Sequence, residues 1–270
     1  MEGSNKKHNS APQRIVSLAP SNTEILFSLG LDAEIVGVTE LCDYPPQAKL
    51  KEKIGGFLEP QIQRIKALRP DIILAYGGIH EPQVKELERE GQTVWVANPK
   101  TVEEVFESIE DIGALTGKAS VARELILSLR RKVGKIRRRI GTIPYEARPR
   151  VLRAMNYEPL IIAGPGSVQY DAIDIAGGEN ISLSNSPPFP SISLEVLRDY
   201  DPEVIITCDW KKREVVEGLK GWEDIAAIKN AQVYSLPCGI SCRPGPRVVE
   251  LVERIAEFLY PHLFEQAHAV

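Results

Sequence analysis

The segment from residue 119 to residue 140 constrains the fold of this chain more than any other. It contains no proline and one glycine, and its apolar residues recur at close to helical spacing: Val121, Leu125, Leu129, Val133, Ile136 and Ile140. At about 1.5 Å per residue, such a helix would span roughly 33 Å. The sequence therefore predicts one long, rigid helix that joins two lobes.

Short β-branched runs alternate with amphipathic segments on both sides of this helix. Before it, strands are predicted at 14–19, 35–39, 72–76 and 93–97, and helices at 23–29, 62–68, 81–90 and 102–115. After it, strands are predicted at 150–155, 161–163, 204–207 and 233–236, and helices at 170–176, 194–200 and 247–259. This alternation is typical of a parallel, doubly wound sheet.

We therefore expect an α/β protein with two doubly wound α/β lobes joined by one long rigid α-helix. The predicted parts are a disordered N-terminal segment or cloning remnant (1–13), an N-terminal lobe (14–117), a bridging helix (118–145) and a C-terminal lobe (146–270). A chain of 270 residues is long enough for a core in each lobe.

Charge and composition exclude several classes of function. The formal net charge is −4, which argues against nucleic-acid binding, and no apolar run is long enough to span a membrane. Residues 1–12 lack the apolar stretch of a secretory signal, so the chain is either cytoplasmic or a mature extracytoplasmic protein behind a remnant. No GxSxG, HExxH, Walker or GxGxxG motif is present, so a binding protein is favoured over an enzyme.

The four cysteines do not form a disulfide framework. Cys238 and Cys242 lie four residues apart in the segment CGISC, whereas a zinc site usually offers two tighter pairs of Cys or His ligands. We expect incidental thiols or one disulfide here, and no metal site.

Four local patterns follow one another along the chain. They are SLAPSNTE at 17–24, DYPP at 43–46, IKALRPD at 65–71, and AGGENI at 176–181 followed by PFP at 188–190 and SLE at 193–195. In the first pattern, Ser21 or Asn22 is expected to cap a helix whose backbone N–H groups face a cleft, and Glu24 to complement its N-terminus.

In this order the four patterns resemble the helical-backbone class of ABC-importer substrate-binding proteins, which carry vitamin B12, haem and ferric siderophores. The resemblance covers residues 14–263, and the DYPP and AGGEN–PFPSIS–LE segments are most similar to the B12-binding members. It implies a monomer that binds a corrinoid such as cobalamin between its lobes and delivers it, outside the cytoplasm, to an ABC-importer permease dimer.

The resemblance also implies the residues of the site. Corrinoids are large, flat and amphipathic, so aromatic and polar contacts are expected, and the candidates are Phe57, Tyr76, Phe189, Tyr44, Ser21, Asn22 and Arg243. Permease docking is assigned to Glu195 in the second lobe and to Gln63, with Glu59 nearby, in the first. His80 is interpreted as a solvated loop histidine, with coordination of cobalt or iron as the alternative.

Two alternatives to this function stay open. A haem or ferric-siderophore binding protein of the same fold would use basic residues such as Arg243 and Arg247. A cytoplasmic corrinoid-handling protein would explain why no signal sequence is seen and why the acidic docking pair is incomplete.

Overall fold

The computed structural model describes residues 11–209 and 213–264, so most of the predicted N-terminal segment 1–13 lies outside the described residues. The chain divides into two compact units. The first unit comprises residues 1–98 and 106–126, and the second comprises 99–105 and 127–270. The boundary therefore passes through two helices, α4 and α5, which span Val102–Leu115 and Ala119–Ile140.

The first unit is a four-stranded parallel sheet with helices between its strands. Its elements are β1 (Ile15–Ser17), α1 (Pro20–Ser28), β2 (Ile35–Val38), a 3₁₀ helix (Pro46–Leu50), α2 (Ile62–Ala67), β3 (Ile72–Tyr76), α3 (Glu81–Arg89) and β4 (Val94–Ala97). The strand order is β2-β1-β3-β4. Buried Val16, Leu18, Ile54, Ile65 and Ile73 belong to the hydrophobic core of this unit.

The second unit contains a five-stranded sheet. Its elements are a 3₁₀ helix (Tyr145–Ala147), β5 (Arg150–Tyr157), β6 (Leu160–Ile162), α6 (Val168–Ile175), β7 (Glu179–Asn180), α7 (Leu194–Tyr200), β8 (Val204–Cys208), α8 (Arg213–Glu217), α9 (Ala226–Lys229), β9 (Val233–Leu236), α10 (Cys238–Ser241), α11 (Val248–Leu259) and α12 (Pro261–Phe264). Its core includes Leu152, Ile162, Leu197, Ile205 and Trp222.

One strand of the second unit departs from the parallel arrangement that is typical of doubly wound sheets. Strands β7, β8 and β9 are parallel to their partners, but β6 is antiparallel to β5. Only residues 158 and 159 separate β5 from β6. A connection of two residues can join antiparallel strands, whereas a parallel pair needs a crossover of a dozen residues or more.

The two units repeat one strand order. In the first unit β1 lies between β2 and β3, and in the second β5 lies between β7 and β8, with β4 and β9 in the corresponding outer positions. The hairpin strand β6 is the addition in the second unit. In such sheets ligands bind outside the carboxyl ends of the strands where the order reverses, which here means beyond β1 and β3 and beyond β5 and β8.

Helix α5 has the predicted bounds, but its buried stripe differs from the prediction at the N-terminal end. The buried positions are Ala122, Ile126, Leu129, Val133, Ile136 and Ile140. Val121 is exposed and Leu125 is only half-buried, so those two predicted stripe positions are wrong. The spacing of the observed stripe alternates between four and three residues, which keeps it on one face of the helix.

Glycines of the AGGEN segment end helix α6. Gly177 adopts φ +87° and its N–H donates to Asp174 O, while Gly178 N–H donates to Ile173 O. These two bonds form a Schellman motif, in which glycine takes the left-handed conformation without a steric penalty. The segment therefore has a structural role independent of any ligand.

Candidate functional site

Buried polar side chains join β1, β3 and the start of α1 in the first unit. Asn22 Nδ2 donates to Ala75 O over 3.0 Å, and Thr23 Oγ1 donates to Ser17 Oγ over 2.8 Å. Ser21 and Asn22 are 3% and 2% exposed. The side chains at the start of α1 are therefore largely used to attach that helix to the sheet.

The prediction that Ser21 or Asn22 caps α1 is wrong. The N-cap residue is Ala19, whose side chain makes no capping bond, and Pro20 is the first helical residue. Proline is favoured at this position because it has no N–H to satisfy. Ser21 and Asn22 consequently lie inside the first turn, and Glu24 follows it. Their contact with a ligand stays a prediction.

His80 connects two of the predicted site residues, Phe57 and Tyr76. Its Nδ1 accepts a hydrogen bond from Tyr76 N–H over 3.0 Å, and its Nε2 lies 2.7 Å from Phe57 O. Because Nδ1 is an acceptor, Nε2 carries the proton and donates to the carbonyl. The rings of Phe57 and His80 also meet edge to face, with centroids 5.1 Å apart.

Both earlier interpretations of His80 are therefore wrong. The side chain is fully buried, so it is not solvated, and both nitrogens are engaged in hydrogen bonds, so neither is available to a metal. Burial lowers the pKa of His80, and the hydrogen bond to Phe57 O opposes this shift in part. The neutral imidazole holds the loop that carries Phe57 against the end of β3.

The two tyrosine candidates have different surroundings. Tyr76 is the last residue of β3 and is half-buried, and this burial raises the pKa of its phenol to about 12. Tyr44 is 44% exposed and lines an open depression of about 400 Å³ together with Glu24, Phe27 and Asp32. The structure thus brings Phe57 and Tyr76 together through His80, whereas Tyr44 lines this depression.

Phe189 is an exposed aromatic residue on a well-anchored loop of the second unit. Its side chain is 47% exposed. The flanking prolines are held by backbone bonds, from Gly164 N–H to Pro188 O over 2.9 Å and from Ile162 N–H to Pro190 O over 3.1 Å. A fixed backbone with an exposed ring suits a ligand contact, because little conformational entropy is lost on binding.

Three of the four cysteines converge in the second unit. The sulfur atoms of Cys208, Cys238 and Cys242 all lie within 4.8 Å of one another, and all are free thiols. The guanidinium of Arg153, which is 1% exposed, donates to Cys242 Sγ over 3.5 Å and to Ser241 Oγ over 3.2 Å. We call Cys208, Cys238, Cys242 and Arg153 the thiol cluster.

Two cysteines of the thiol cluster have pKa values shifted in opposite directions. Hydrogen bonds from the thiols of Cys208 and Cys238, together with the charge of Arg153, lower the pKa of Cys242. The pKa of Cys238 is raised, chiefly by its hydrogen bond with Cys208. Sequence reasoning considered Cys238 and Cys242 but missed Cys208, whose position at the end of a buried strand was the available indication.

Arg243 directly follows this cluster in the chain and is half-buried. The adjacent Arg247 donates from Nη2 to Gly239 O over 2.8 Å, which ties the CGISC segment to the start of α11. Contact between Arg243 and a ligand stays a prediction.

The predicted docking residues are all exposed. Glu195 lies in the first turn of α7, whose N-cap Ser193 accepts a hydrogen bond from Val196 N–H over 3.2 Å. Gln63 lies in the first turn of α2, and Glu59 precedes that helix. Their exposure leaves them accessible, and their role in docking stays a prediction.

A family model described as a periplasmic binding protein matches residues 15–238 of the chain. The chain belongs to the periplasmic binding protein family. An uncharacterised ABC transporter substrate-binding lipoprotein of Bacillus subtilis is 31% identical over 260 residues, which are 94% of this chain and 82% of that protein. A vitamin B12-binding protein of Vibrio cholerae is 28% identical over 251 residues, which are 92% of this chain and 89% of that protein.

Solved structures show the same relationship for this periplasmic binding protein. The crystal structure of the periplasmic vitamin B12-binding protein of Vibrio cholerae matches with a TM-score of 0.81 at 27% identity, over 93% of this chain and 98% of that one. The expected class of protein and the α/β fold are confirmed by these matches. Among the residues that the structure describes, no helix is long and apolar enough to cross a membrane.

Proposed function

We propose that this periplasmic binding protein binds a corrinoid of the cobalamin class outside the cytoplasm and delivers it to an ABC importer. The observation that supports this most is the similarity to a vitamin B12-binding protein along nearly the whole of both chains. The similarity to an ABC transporter substrate-binding lipoprotein supports the delivery step and the extracytoplasmic location.

Aromatic residues provide the physical reason why this chain would bind a corrinoid. A corrinoid presents a flat face of mixed polarity, which packs well against aromatic rings and is oriented by a few polar groups. The first unit offers Phe57 and Tyr76, and Tyr76 stands at the carboxyl end of β3, where such sheets bind ligands. The second unit offers Phe189, with Arg243 as a polar contact.

Delivery is proposed to use the exposed residues Glu195, Gln63 and Glu59. Exposed ion pairs contribute only about 0–1 kcal/mol each, so these residues would orient the protein on basic groups of the permease rather than supply most of the affinity. Glu195 in the second unit carries a negative charge that Gln63 in the first unit lacks, so the contacts made by these two residues would be unequal in strength.

The test is a binding comparison on the reduced, purified chain. Isothermal titration calorimetry and visible absorbance are measured with cobalamin, an incomplete corrinoid precursor, haem and a ferric siderophore. We expect the corrinoids to bind at least about tenfold more tightly than haem or the siderophore, a difference of about 1.4 kcal/mol. Absence of binding by both corrinoids would overturn the proposal, and preference for haem or siderophore would reassign the ligand.

A further inference from the structure

We propose that the thiol cluster formed by Cys208, Cys238, Cys242 and Arg153 is a binding site for one thiophilic metal ion, with the three sulfur atoms as ligands. The site is independent of the proposed corrinoid function, since none of its four residues is assigned to the corrinoid. Zn²⁺ is the expected ion, because soft thiolate donors favour it over Mg²⁺ or Ca²⁺, and Co²⁺ serves as its spectroscopic probe.

The topology of the sheet brings the three sulfurs together. Strands β8 and β9 are parallel neighbours, and Cys208 pairs with Leu236 at their carboxyl ends. Cys238 follows two residues after Leu236, and helix α10 places Cys242 four residues further on, which is one helical turn. A strand end and one turn of helix therefore fix all three side chains.

The distances suit a metal ion. Thiolate sulfur lies about 2.3 Å from zinc, so sulfurs that share a tetrahedral ion are about 3.8 Å apart. The three sulfurs already lie within 4.8 Å of one another, so small side-chain rotations complete the geometry. A disulfide would use two of the sulfurs and leave the third, whereas a metal ion uses all three.

The charge of Arg153 also fits bound metal. Its partners shown in the described part of the chain are the carbonyl oxygens of Ala154 and Ile206, the Ser241 hydroxyl and the Cys242 sulfur. These include no carboxylate, so the Cys242 sulfur is the one group among them that can carry a negative charge, and a buried cation is costly unless an anion lies beside it. A divalent ion with three thiolates carries a net charge of −1, which the guanidinium neutralises.

The thiol cluster is accessible to a metal ion from solvent, and a neighbouring carboxylate orients one of its segments. Cys238 and Cys242 are half-buried, so an ion can reach the cluster from solvent and can keep a water molecule as fourth ligand. Asp209 Oδ1 accepts a hydrogen bond from Cys238 N–H over 3.1 Å, which orients this segment. Metal binding displaces the thiol protons, up to three per chain, and these protons enter the solvent.

The test is an anaerobic titration of the full, reduced chain with Co²⁺, followed by displacement with Zn²⁺. We expect a thiolate-to-cobalt charge-transfer band in the near ultraviolet, saturation at one ion per chain, and loss of the band when Zn²⁺ is added. Cys208→Ser and Cys238→Ser should each abolish the band or weaken binding by at least about tenfold. Two variants are used because Cys208 is buried, and far-ultraviolet circular dichroism checks that each one folds.

Cys42→Ser is the matched control, since Cys42 belongs to the first unit and is hydrogen-bonded to Thr23 and Thr39. It should keep the charge-transfer band unchanged. Absence of the band in wild-type protein that titrates as four free thiols would overturn the proposal. So would a band that survives Cys208→Ser and Cys238→Ser, or a native Cys238–Cys242 disulfide detected by alkylation before and after reduction.

Discussion

His80 Nε2 donates a hydrogen bond to the carbonyl oxygen of Phe57 over 2.7 Å, while the other ring nitrogen accepts one from Tyr76 N–H. This arrangement requires the neutral imidazole, because protonation of Nδ1 would place a donor against the Tyr76 N–H. Burial lowers the pKa of His80 below its ordinary value of 6.5. The folded state therefore binds this proton less readily than the unfolded chain.

The first prediction concerns stability and pH. Because the folded pKa is lowered, the contribution of His80 is complete above the unfolded pKa of about 6.5 and is lost as pH falls toward the folded pKa. Stability should thus decrease with acidification below about pH 6.5. In His80→Gln, this part of the pH dependence should disappear, measured by urea unfolding at a series of pH values.

His262 provides the control for this prediction. It is exposed at the start of α12, and His262→Gln should retain the wild-type slope of unfolding free energy against pH. Equal slopes in wild type and His80→Gln would show that His80 does not carry the effect.

The second prediction concerns the ligand contact of Phe189. Removing an aromatic face that becomes buried on binding costs about 1.5–3 kcal/mol, so Phe189→Ala should weaken cobalamin binding by tenfold or more. Tyr145→Ala is the matched control, because Tyr145 is 58% exposed in the same unit but precedes β5. Calorimetry that gives the same dissociation constant for Phe189→Ala and wild type would remove Phe189 from the site.

The third prediction concerns docking to the importer. Charge reversal in Glu195→Lys should weaken association with the cognate permease several-fold, up to about tenfold, and the effect should shrink as salt is raised. The measurement is the association rate on the purified importer by surface plasmon resonance. Glu253→Lys, at an exposed position on α11, is the control and should associate as wild type does. A weakening shared by both variants would indicate a general charge effect.

The fourth prediction concerns the glycine that ends α6. Gly177 and Gly30 both have positive φ, +87° and +72°, but only Gly177 is crowded: a Cβ there would lie 3.0 Å from the Tyr260 ring and 3.2 Å from Ile140. Gly30→Ala should lower the free energy of unfolding by about 1 kcal/mol through backbone strain alone. Gly177→Ala should lower it by about 1–3 kcal/mol more, since close contact is added. Urea unfolding of both variants measures the difference, and equal losses would show that the contacts with Tyr260 and Ile140 relax without penalty.

Local sequence patterns were sufficient for most of the secondary structure. Strands Ile72–Tyr76 and Val233–Leu236 and helices Val102–Leu115, Ala119–Ile140 and Leu194–Tyr200 have the predicted bounds. These segments have strong β-branched or helical periodicity, which depends only on neighbouring residues. Short helices that follow loops, such as Ala226–Lys229 and Cys238–Ser241, were missed because four residues carry too little periodicity.

The candidate site was predictable only in part. The exposure of Phe189 and Glu195 follows from their positions in a proline-rich loop and in the first turn of a helix. The burial of His80 does not, because it depends on the Phe57 carbonyl 23 residues away. Ser21 and Asn22 were misplaced by two or three residues because Pro20 starts the helix earlier than the apolar pattern indicates.

By itself, the sequence determined the alternation of strands and helices, the long helix α5 and the resemblance to substrate-binding proteins. Each of these depends on the order of residues that are close together in the chain. Only the tertiary structure decided that β6 runs antiparallel, that His80 is a buried neutral link between Phe57 and Tyr76, and that Cys208 joins Cys238 and Cys242 beside Arg153. These features depend on which strand ends become neighbours in the sheet, and that pairing joins residues tens of positions apart.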